Sequence, residues 1–465
     1  MKAAVEWIGW FFLGYLVLLN GGYIALNLLA IPTLRRRLAR EPLATLPTAY
    51  CGLEPPVSLL VPAYNEERTI ASSVRSLLQL DYPEFEIVVV NDGSKDGTLA
   101  ALSAAFDLEP YPEAYWRRLE AKPVRAIYRS RTAVGLRVVD KENGGKADAL
   151  NVGINASRHP YFCAIDADSI LERDSLRRVM EPFVDDPSTV VSGGTVRIAN
   201  GCTVSGGHLE RVALPRNPLA LFQIVEYLRA FLFGRLGWTT LNAVLIISGA
   251  FGVFRKDVIV AAGGYRADTI GEDMELVVRL HRVLRERREP YAIHFVPDPV
   301  CWTEAPEDLA ILKGQRIRWQ RGLAESLHKN IELLRYGGGG PAGLLAYPFF
   351  LVFECYGPLL EVAGYVCTVA LWALGYISLT QMLLFMLLAF SLGFLLSVSA
   401  LLLEEMSYHL YPRGSQFAAL VLVAIAENLG YRQLVTWWRL VGLSRWLRGA
   451  QSTWGTMTRK GSWQK

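Results

Sequence analysis

Apolar runs long enough to cross a bilayer sit towards both ends of this chain and leave a long polar stretch between them. The first, Trp7 to Ile31, is almost wholly apolar apart from Asn20 and Asn27, and a helix of about 20 such residues spans a hydrocarbon core of ~30 Å. It ends in Arg35-Arg36-Arg37 rather than at a small-residue cleavage site, which argues against a signal peptide. The arginines place the N-terminus outside and the polar middle in the cytoplasm. Three more apolar stretches follow, at about 344–374, 377–403 and 417–437. Pro348 and Pro358 break the first, so its beginning is expected to lie along the membrane surface. Three full crossings would leave residues 438–465 outside, yet that tail carries Arg439, Arg445, Arg448, Arg459, Lys460 and Lys465 with no acid. One stretch is therefore expected to be interfacial or re-entrant, and Glu427 and Asn428 mark the last as the least conventional.

These features divide the chain into a transmembrane helix at 1–34, a cytoplasmic domain with interfacial helices at 55–340, transmembrane or interfacial helices at 341–437, and a basic cytoplasmic tail at 438–465. With 52% hydrophobic and 20% charged residues, the composition suits a membrane protein carrying a folded aqueous domain. A net charge of +4 with no basic-aromatic stripe gives no sign of nucleic-acid binding. The six cysteines show no metal-ligand spacing and read as reduced thiols.

Within the middle, short β-rich runs alternate with helical ones. "VSLLVPAYNE", "FEIVVVNDGS", "PVRAIYRS" and "YFCAIDAD" read as strands, while "RTIASSVRSLL", "KDGTLAALSAAF" and "GGKADALNVGINAS" read as helices. The alternation predicts an α/β fold with a mostly parallel, helix-flanked sheet, whose ligands bind beyond the carboxyl ends of the strands. Polar residues collect at those ends: Tyr64-Asn65-Glu66, then Asp92-Gly93-Ser94, then Asp166 and Asp168. Residues 219–238 look like a span, but Gln223, Glu226, Arg229 and Arg235 interrupt them at helical spacing and predict an amphipathic surface helix. Gly337 to Gly340 reads as a hinge, and the aromatic stretch 108–131 has no assignable job.

Several patterns point to chemistry, each beside a plainer account. D-x-D at a strand end offers hard oxygen ligands to a divalent cation holding a diphosphate, although an acidic turn can also simply cap a helix. Lys146 enters a helix through Gly144-Gly145, a setting that suits a diphosphate or merely a kinked turn with a solvated lysine. Glu272 and Asp273 open a helix, as caps or as a general base. "GQRIRWQRG", holding Gln315, Arg318 and Trp319, is either a basic interfacial helix or a sugar-binding platform.

The ordered set "VPAYNEERTI", "VVNDGSKDGT", "NGGKADALN", "IDADS", "GEDMEL" and "QRIRW" resembles the membrane-integrated, processive branch of glycosyltransferase family 2. Hyaluronan, chitin-oligosaccharide, poly-N-acetylglucosamine and cellulose synthases belong to that branch. The resemblance implies a GT-A nucleotide-sugar-binding domain in which Tyr64 and Asp92 contact the nucleobase, Glu66 lies on the donor side, Lys146 binds the diphosphate and Asp166 touches the donor. It implies that Asp168 ligates Mg2+ or Mn2+ and that Asp273 is the catalytic base. Gln315, Arg318 and Trp319 would hold donor phosphate and acceptor sugar, with Glu272 on the acceptor side. "IISGAFGVFRK" resembles the segment beneath the acceptor, with Gly249 allowing close approach. "STWGTMTRKG" resembles a gating segment, with Trp454, Thr456 and Arg459, although Met457 stands where an arginine is expected.

The resulting expectation is an inverting, metal-dependent, UDP-sugar-dependent hexosyltransferase. It would extend a β-linked polysaccharide from UDP-N-acetylglucosamine or UDP-glucose and thread it outward through the lipid bilayer of the inner membrane, with export proteins as further partners. Two other readings remain open: transfer of one sugar to a membrane lipid such as a polyprenyl phosphate or ceramide-like acceptor, and a sugar-nucleotide sensor without turnover.

Overall fold

The computed structural model describes residues 2–39, 54–205, 207–335 and 339–449. The β-rich runs form twelve strands: β1 Val57–Ala63, β2 Phe85–Asp92, β3 Leu108–Pro110, β4 Val124–Ser130, β5 Leu136–Lys141, β6 Tyr161–Ile165, β7 Ile170–Leu171, β8 Thr189–Ile198, β9 Thr203–Ser205, β10 His208–Arg211, β11 Phe251–Arg255 and β12 Ala292–Thr303. Ten of them make one sheet in the order β3-β4-β5-β2-β1-β6-β11-β8-β12-β7, and β9 pairs with β10. The α/β expectation holds, in a sheet that is mixed. The quartet β5-β2-β1-β6 is parallel, as is β8 with β12, whereas β3, β4, β7 and β11 pair antiparallel.

Sequence periodicity finds β1, β2 and β6 but places the remaining strand at "PVRAIYRS". That run is β4, an antiparallel strand towards the sheet's edge, and the missing member of the parallel quartet is β5, "LRVVDK". Three charges hide it, and all three are buried and bonded. Arg137 pairs with Glu86 and Glu113 at 2.7 Å each, Lys141 with Asp92 at 2.5 Å and Asp148 at 2.6 Å, and Asp140 accepts from Asn91 Nδ2 at 2.6 Å. A charge with its partners in place can occupy a central strand, where an isolated one could not.

The same network gives the stretch 108–131 its job. β3 and β4 form an edge pair, and the segment between them straps over the helix Lys146–Ala156. Glu113 joins Arg137 to Arg158, while Asn155 Oδ1 accepts from the backbone of Arg118 and Leu119 at 3.0 Å each. The strap fixes the helix that presents Lys146.

Among the described residues, helices long and apolar enough to cross a membrane are Val5–Ala39, Leu379–Ser407 and Gly414–Leu447, with the pair Ala342–Cys355 and Gly357–Ala373, bent by 47°, as a fourth if it is one span. The bend follows the proline-broken stretch. The last helix is kinked at Leu429 and Gly430, and both its limbs pack on the sheet domain. Leu420 and Ala424 cluster with Ile198, Ile224 and Ala305, and Val435 and Trp438 cluster with Leu312 and Ile317. The helix is nevertheless long and apolar enough to cross a membrane as one piece. Ion pairs tie the sheet domain to the apolar helices: half-buried Arg37 with Glu181 and with Asp298 at 2.9 Å, and buried Arg197 with Glu404 at 2.5 Å. The run 219–238 is Pro218–Tyr227, a π-helical turn Leu228–Arg235 and Leu236–Thr240, packed between sheet and apolar helices.

Candidate active site

The strand directions bring the carboxyl ends of β1, β2, β5, β6, β8 and β12 and the amino end of β11 to one rim. There the chain opens a cavity of about 1460 Å3. Every donor- and acceptor-side residue expected from the sequence borders it: Tyr64, Glu66, Asp92, Lys146, Asp166 and Asp168 from the parallel half, and Glu272, Asp273, Gln315, Arg318 and Trp319 from two helices beyond β11. Trp454, Thr456 and Arg459 lie outside the described residues, as does part of the Gly337 to Gly340 hinge.

After β1, Tyr64-Asn65-Glu66 are clasped to the loop after β2. Asn65 N–H donates to Ser94 Oγ at 3.0 Å, Lys95 N–H to Asn65 Oδ1 at 2.8 Å, and Glu66 N–H to Thr98 Oγ1 at 2.9 Å. Tyr64 remains exposed at the cavity mouth.

Asp92 has a different setting from the one its motif suggests. Its two oxygens accept from Lys141 Nζ at 2.5 Å, Gly144 N–H at 2.9 Å, Gly145 N–H at 2.7 Å and Asn143 Nδ2 at 3.2 Å. A carboxylate offers about four acceptor sites, so Asp92 is occupied in pinning the loop that leads into the Lys146 helix. Contact of this carboxylate with a base would require one of those bonds to be given up.

Lys146 Nζ reaches Asp166 Oδ1 at 2.5 Å, Glu272 Oε1 at 3.6 Å and the Gly249 carbonyl at 3.2 Å. Burial disfavours its charge, but Asp166 and Glu272 outweigh that penalty and raise its pKa above the ordinary lysine value. Asp273 Oδ2 accepts from Gly249 N–H at 3.0 Å, and its Oδ1 from Met274 N–H at 2.7 Å. Gly249 thus separates the ammonium from the carboxylate. A Cβ there would lie 3.0 Å from Lys146 Nζ and 3.2 Å from Asp273 Oδ2, and only glycine leaves that gap clear. Burial lifts the Glu272 pKa to about 7; Lys146 opposes the rise and Asp273 adds to it.

The helices Glu272–Glu286 and Leu309–Lys329 cross at a glycine contact: a Cβ on Gly271 would lie 3.0 Å from Gly322 Cα. This close approach sets the acidic helix start beside the Gln-Arg-Trp face. Trp319 is 47% exposed into the cavity, with the Arg316 guanidinium 4.4 Å over its ring and Tyr227 at 6.4 Å. Arg316 is held by Glu226 at 2.6 Å. Arg316 stands in the "GQRIRWQRG" stretch already singled out, whereas Glu226, Tyr227 and Arg235 border the same cavity although no role in the site was expected of them. The charges at helical spacing in 219–238 were the available signal, but periodicity cannot say which surface a helix faces.

Asp166 and Asp168 follow β6, and Asp168 is 5% exposed. Among the described residues no group of three or more His, Cys, Asp or Glu side chains could cage a metal by itself. Both aspartates border the cavity, and one or two carboxylates facing a substrate cavity is the donor set that Mg2+ or Mn2+ uses when substrate oxygens and water complete its shell, so the residues fit such an ion.

Residues 161–426, more than half of the chain, match the family Glycosyl transferase family group 2, and residues 58–259 match Glycosyl transferase family 2. The chain belongs to this glycosyltransferase family. Similar family members include the poly-beta-1,6-N-acetyl-D-glucosamine synthases of Staphylococcus aureus (strain COL) and Staphylococcus epidermidis. The first is 32% identical over 274 residues and the second 29% over 272, in each case 58% of this chain. The matched region spans 55% of the length of those synthases. Among solved structures, the mannosyltransferase from Pyrobaculum calidifontis in complex with GDP-Man and Mn2+ is similar in fold. It gives a TM-score of 0.52 at 20% identity, with 92% of this chain and 99% of that one covered.

The family 2 cavity does not stop at the rim. It continues between the apolar helices, past Tyr23 of the N-terminal helix, Phe353 and Glu361 of the bent pair and Arg439 of the last helix. Several charges along this extension are paired, Arg439 with Glu354 at 2.9 Å, Glu226 with Arg316, and Arg229 with Glu427, while Glu361 accepts from the hydroxyls of Tyr365 at 3.1 Å and Thr436 at 3.2 Å.

Proposed function

We propose that this chain is an inverting, metal-dependent membrane glycosyltransferase that adds sugar from a UDP-sugar to the end of a β-linked polysaccharide and passes the product into the membrane. The single observation carrying this reading is the continuity of the cavity, from the Lys146-Asp273 centre into the space between the apolar helices. A transferase that releases a small product has no use for such an extension. Its walls carry hydroxyl, carboxylate and aromatic groups of the kind that bind glycan hydroxyls, and the family members named above make a polymer of N-acetylglucosamine.

In this reading Tyr64 and the loop after β2 hold the nucleotide base, and Lys146, at a helix N-terminus, holds the diphosphate. Asp168, with Asp166 beside it, would hold a divalent cation, whose chemistry is to neutralise charge on the leaving diphosphate. Asp273 accepts the proton of the acceptor hydroxyl as that oxygen bonds to the anomeric carbon. The bond to the diphosphate breaks on the opposite face and its electron pair leaves with UDP, so an α-linked donor yields a β linkage. Gly249 N–H holds Asp273 in place, and Trp319 offers an aromatic face to the acceptor sugar. Burial raises the Glu272 pKa and so favours its protonated form, which limits the negative charge beside Asp273. The sheet domain is assigned to the cytoplasm, where UDP-sugars are made, with residues 414–447 re-entrant.

The test is UDP release by detergent-purified protein with UDP-N-acetylglucosamine and UDP-glucose in turn, with Mn2+ or Mg2+, beside Asp168→Asn. Metal-dependent release with one donor, abolished in the variant and accompanied by high-mass product, is the expected result. Release accompanied only by a singly glycosylated lipid would replace the polymer reading.

A further inference from the structure

Buried arginines in this protein have carboxylate partners: Arg137 with Glu86, Arg197 with Glu404, Arg279 with Glu275 and Arg316 with Glu226. Arg235 is different. It closes the π-helical turn Leu228–Arg235 and borders the same cavity as Asp273, Gly249 and Trp319. Its guanidinium carbon lies 3.8 Å from the centroid of Phe231 and 5.7 Å from that of Phe295. Among the described residues no carboxylate pairs with it, and its Nη1 is buried without a hydrogen-bond partner. Burial pushes its pKa down to about 10, with the charge of Asp273 pulling the other way. Aromatic faces stabilise such a cation in part, but they leave in-plane N–H donors unused, and an unused buried donor is costly.

The position of Arg235 says what could use them. Lys146, Asp166 and Asp168 occupy the sheet side of the centre. Arg235 lies within the field of Asp273, on the run that also carries Tyr227, and the Tyr227 ring is 6.4 Å from Trp319, the aromatic face assigned to the acceptor sugar.

We propose that Arg235 is a specificity-determining residue for the acceptor. It donates to a neutral oxygen, a hydroxyl or an amide carbonyl, on the terminal sugar beside the attacking hydroxyl, and it repels a protonated amine at that place. A chain ending in an N-acetylated or plain hexose is then extended, and one ending in a free amino sugar is refused. The proposal rests on the polymer reading above. It adds a proofreading property to that reading: chain ends that have lost their acyl group stop growing.

The experiment uses the full-length protein in detergent with Mn2+, UDP-N-acetylglucosamine and two soluble primers that differ only at the terminal unit, N-acetylglucosamine or glucosamine. Extension rate against primer concentration is measured for wild type, Arg235→Lys and Arg235→Gln, with thermal midpoints recorded for each. Wild type is expected to favour the acetylated primer by about tenfold or more in kcat/KM. Arg235→Lys should keep that preference. Arg235→Gln should erase most of it by improving use of the amine-ended primer, while KM for the donor moves by less than about twofold. Raising the pH until the primer amine is neutral should narrow the wild-type preference as well. A folded Arg235→Gln that slows both primers equally would overturn the proposal and leave Arg235 a structural residue. UDP release by a wild type that extends neither primer would instead sink the polymer reading, and the proposal with it.

Discussion

Asp92→Asn separates two jobs for one carboxylate. Asp92 is 3% exposed and accepts from four N–H groups, those of Lys141, Asn143, Gly144 and Gly145. Asparagine keeps one acceptor oxygen and turns an NH2 towards donors that need an acceptor. Lys141, 0% exposed, keeps Asp148 at 2.6 Å but loses its other counter-charge. Removing one partner of a buried ion pair costs about 3–5 kcal/mol. For a domain of this size each kcal/mol moves the thermal midpoint by about 2–4 °C, so a fall on the order of 10 °C is expected. Differential scanning fluorimetry in detergent reads the midpoint, and amide hydrogen exchange at Gly144 and Gly145 should quicken in parallel. The pinning role predicts both changes with nucleotide absent. A midpoint within about 1 °C of wild type and unchanged exchange, alongside a raised KM for the UDP-sugar, would refute it and return Asp92 to the base contact that its motif suggests.

Other outcomes follow from the same geometry. Asp273→Asn keeps one oxygen for Gly249 N–H or Met274 N–H and turns an NH2 towards the other, so kcat should fall about a hundred- to ten-thousand-fold in steady-state assays while the thermal midpoint falls by only about 2–4 °C, the cost of one hydrogen bond. Gly249→Ala puts a methyl group 3.0 Å from Lys146 Nζ and 3.2 Å from Asp273 Oδ2; a displacement of a few tenths of an ångström should lower kcat about tenfold and stability by about 1 kcal/mol. Glu272 binds its proton more tightly when folded, with a pKa raised from 4.5 to about 7. Nucleotide-free protein should therefore lose stability as pH rises from about 4.5 to about 7, by about 3 kcal/mol in all. Glu272→Gln should flatten that slope in unfolding measured across the pH range, and an unchanged slope would assign it to another group.

The sequence by itself determined the elements whose signals are local. Long apolar runs need no partner to be recognised, because the solvent they require is the bilayer. Strands β1, β2 and β6 show as short β-rich runs ending in polar residues, and those ends mark the rim where Tyr64, Asp92, Asp166 and Asp168 gather. Lys146, Asp273 and Trp319 could be singled out because each stands in a short motif with a chemical rationale. Only the tertiary structure decided what depends on partners distant in sequence. β5 was illegible because Arg137, Asp140 and Lys141 look solvent-bound until Glu86, Asp92 and Asp148 are brought beside them. The stretch 108–131 had no purpose until Asn155 and Arg137 were found beneath it. Arg235 read as one more charge on a surface helix, and its place on the cavity wall near Asp273 is set by how that helix is clamped between the sheet and the apolar helices. Local pattern reports what a residue can do, whereas burial and pairing, which decide what it does, are properties of residues tens to hundreds of positions apart.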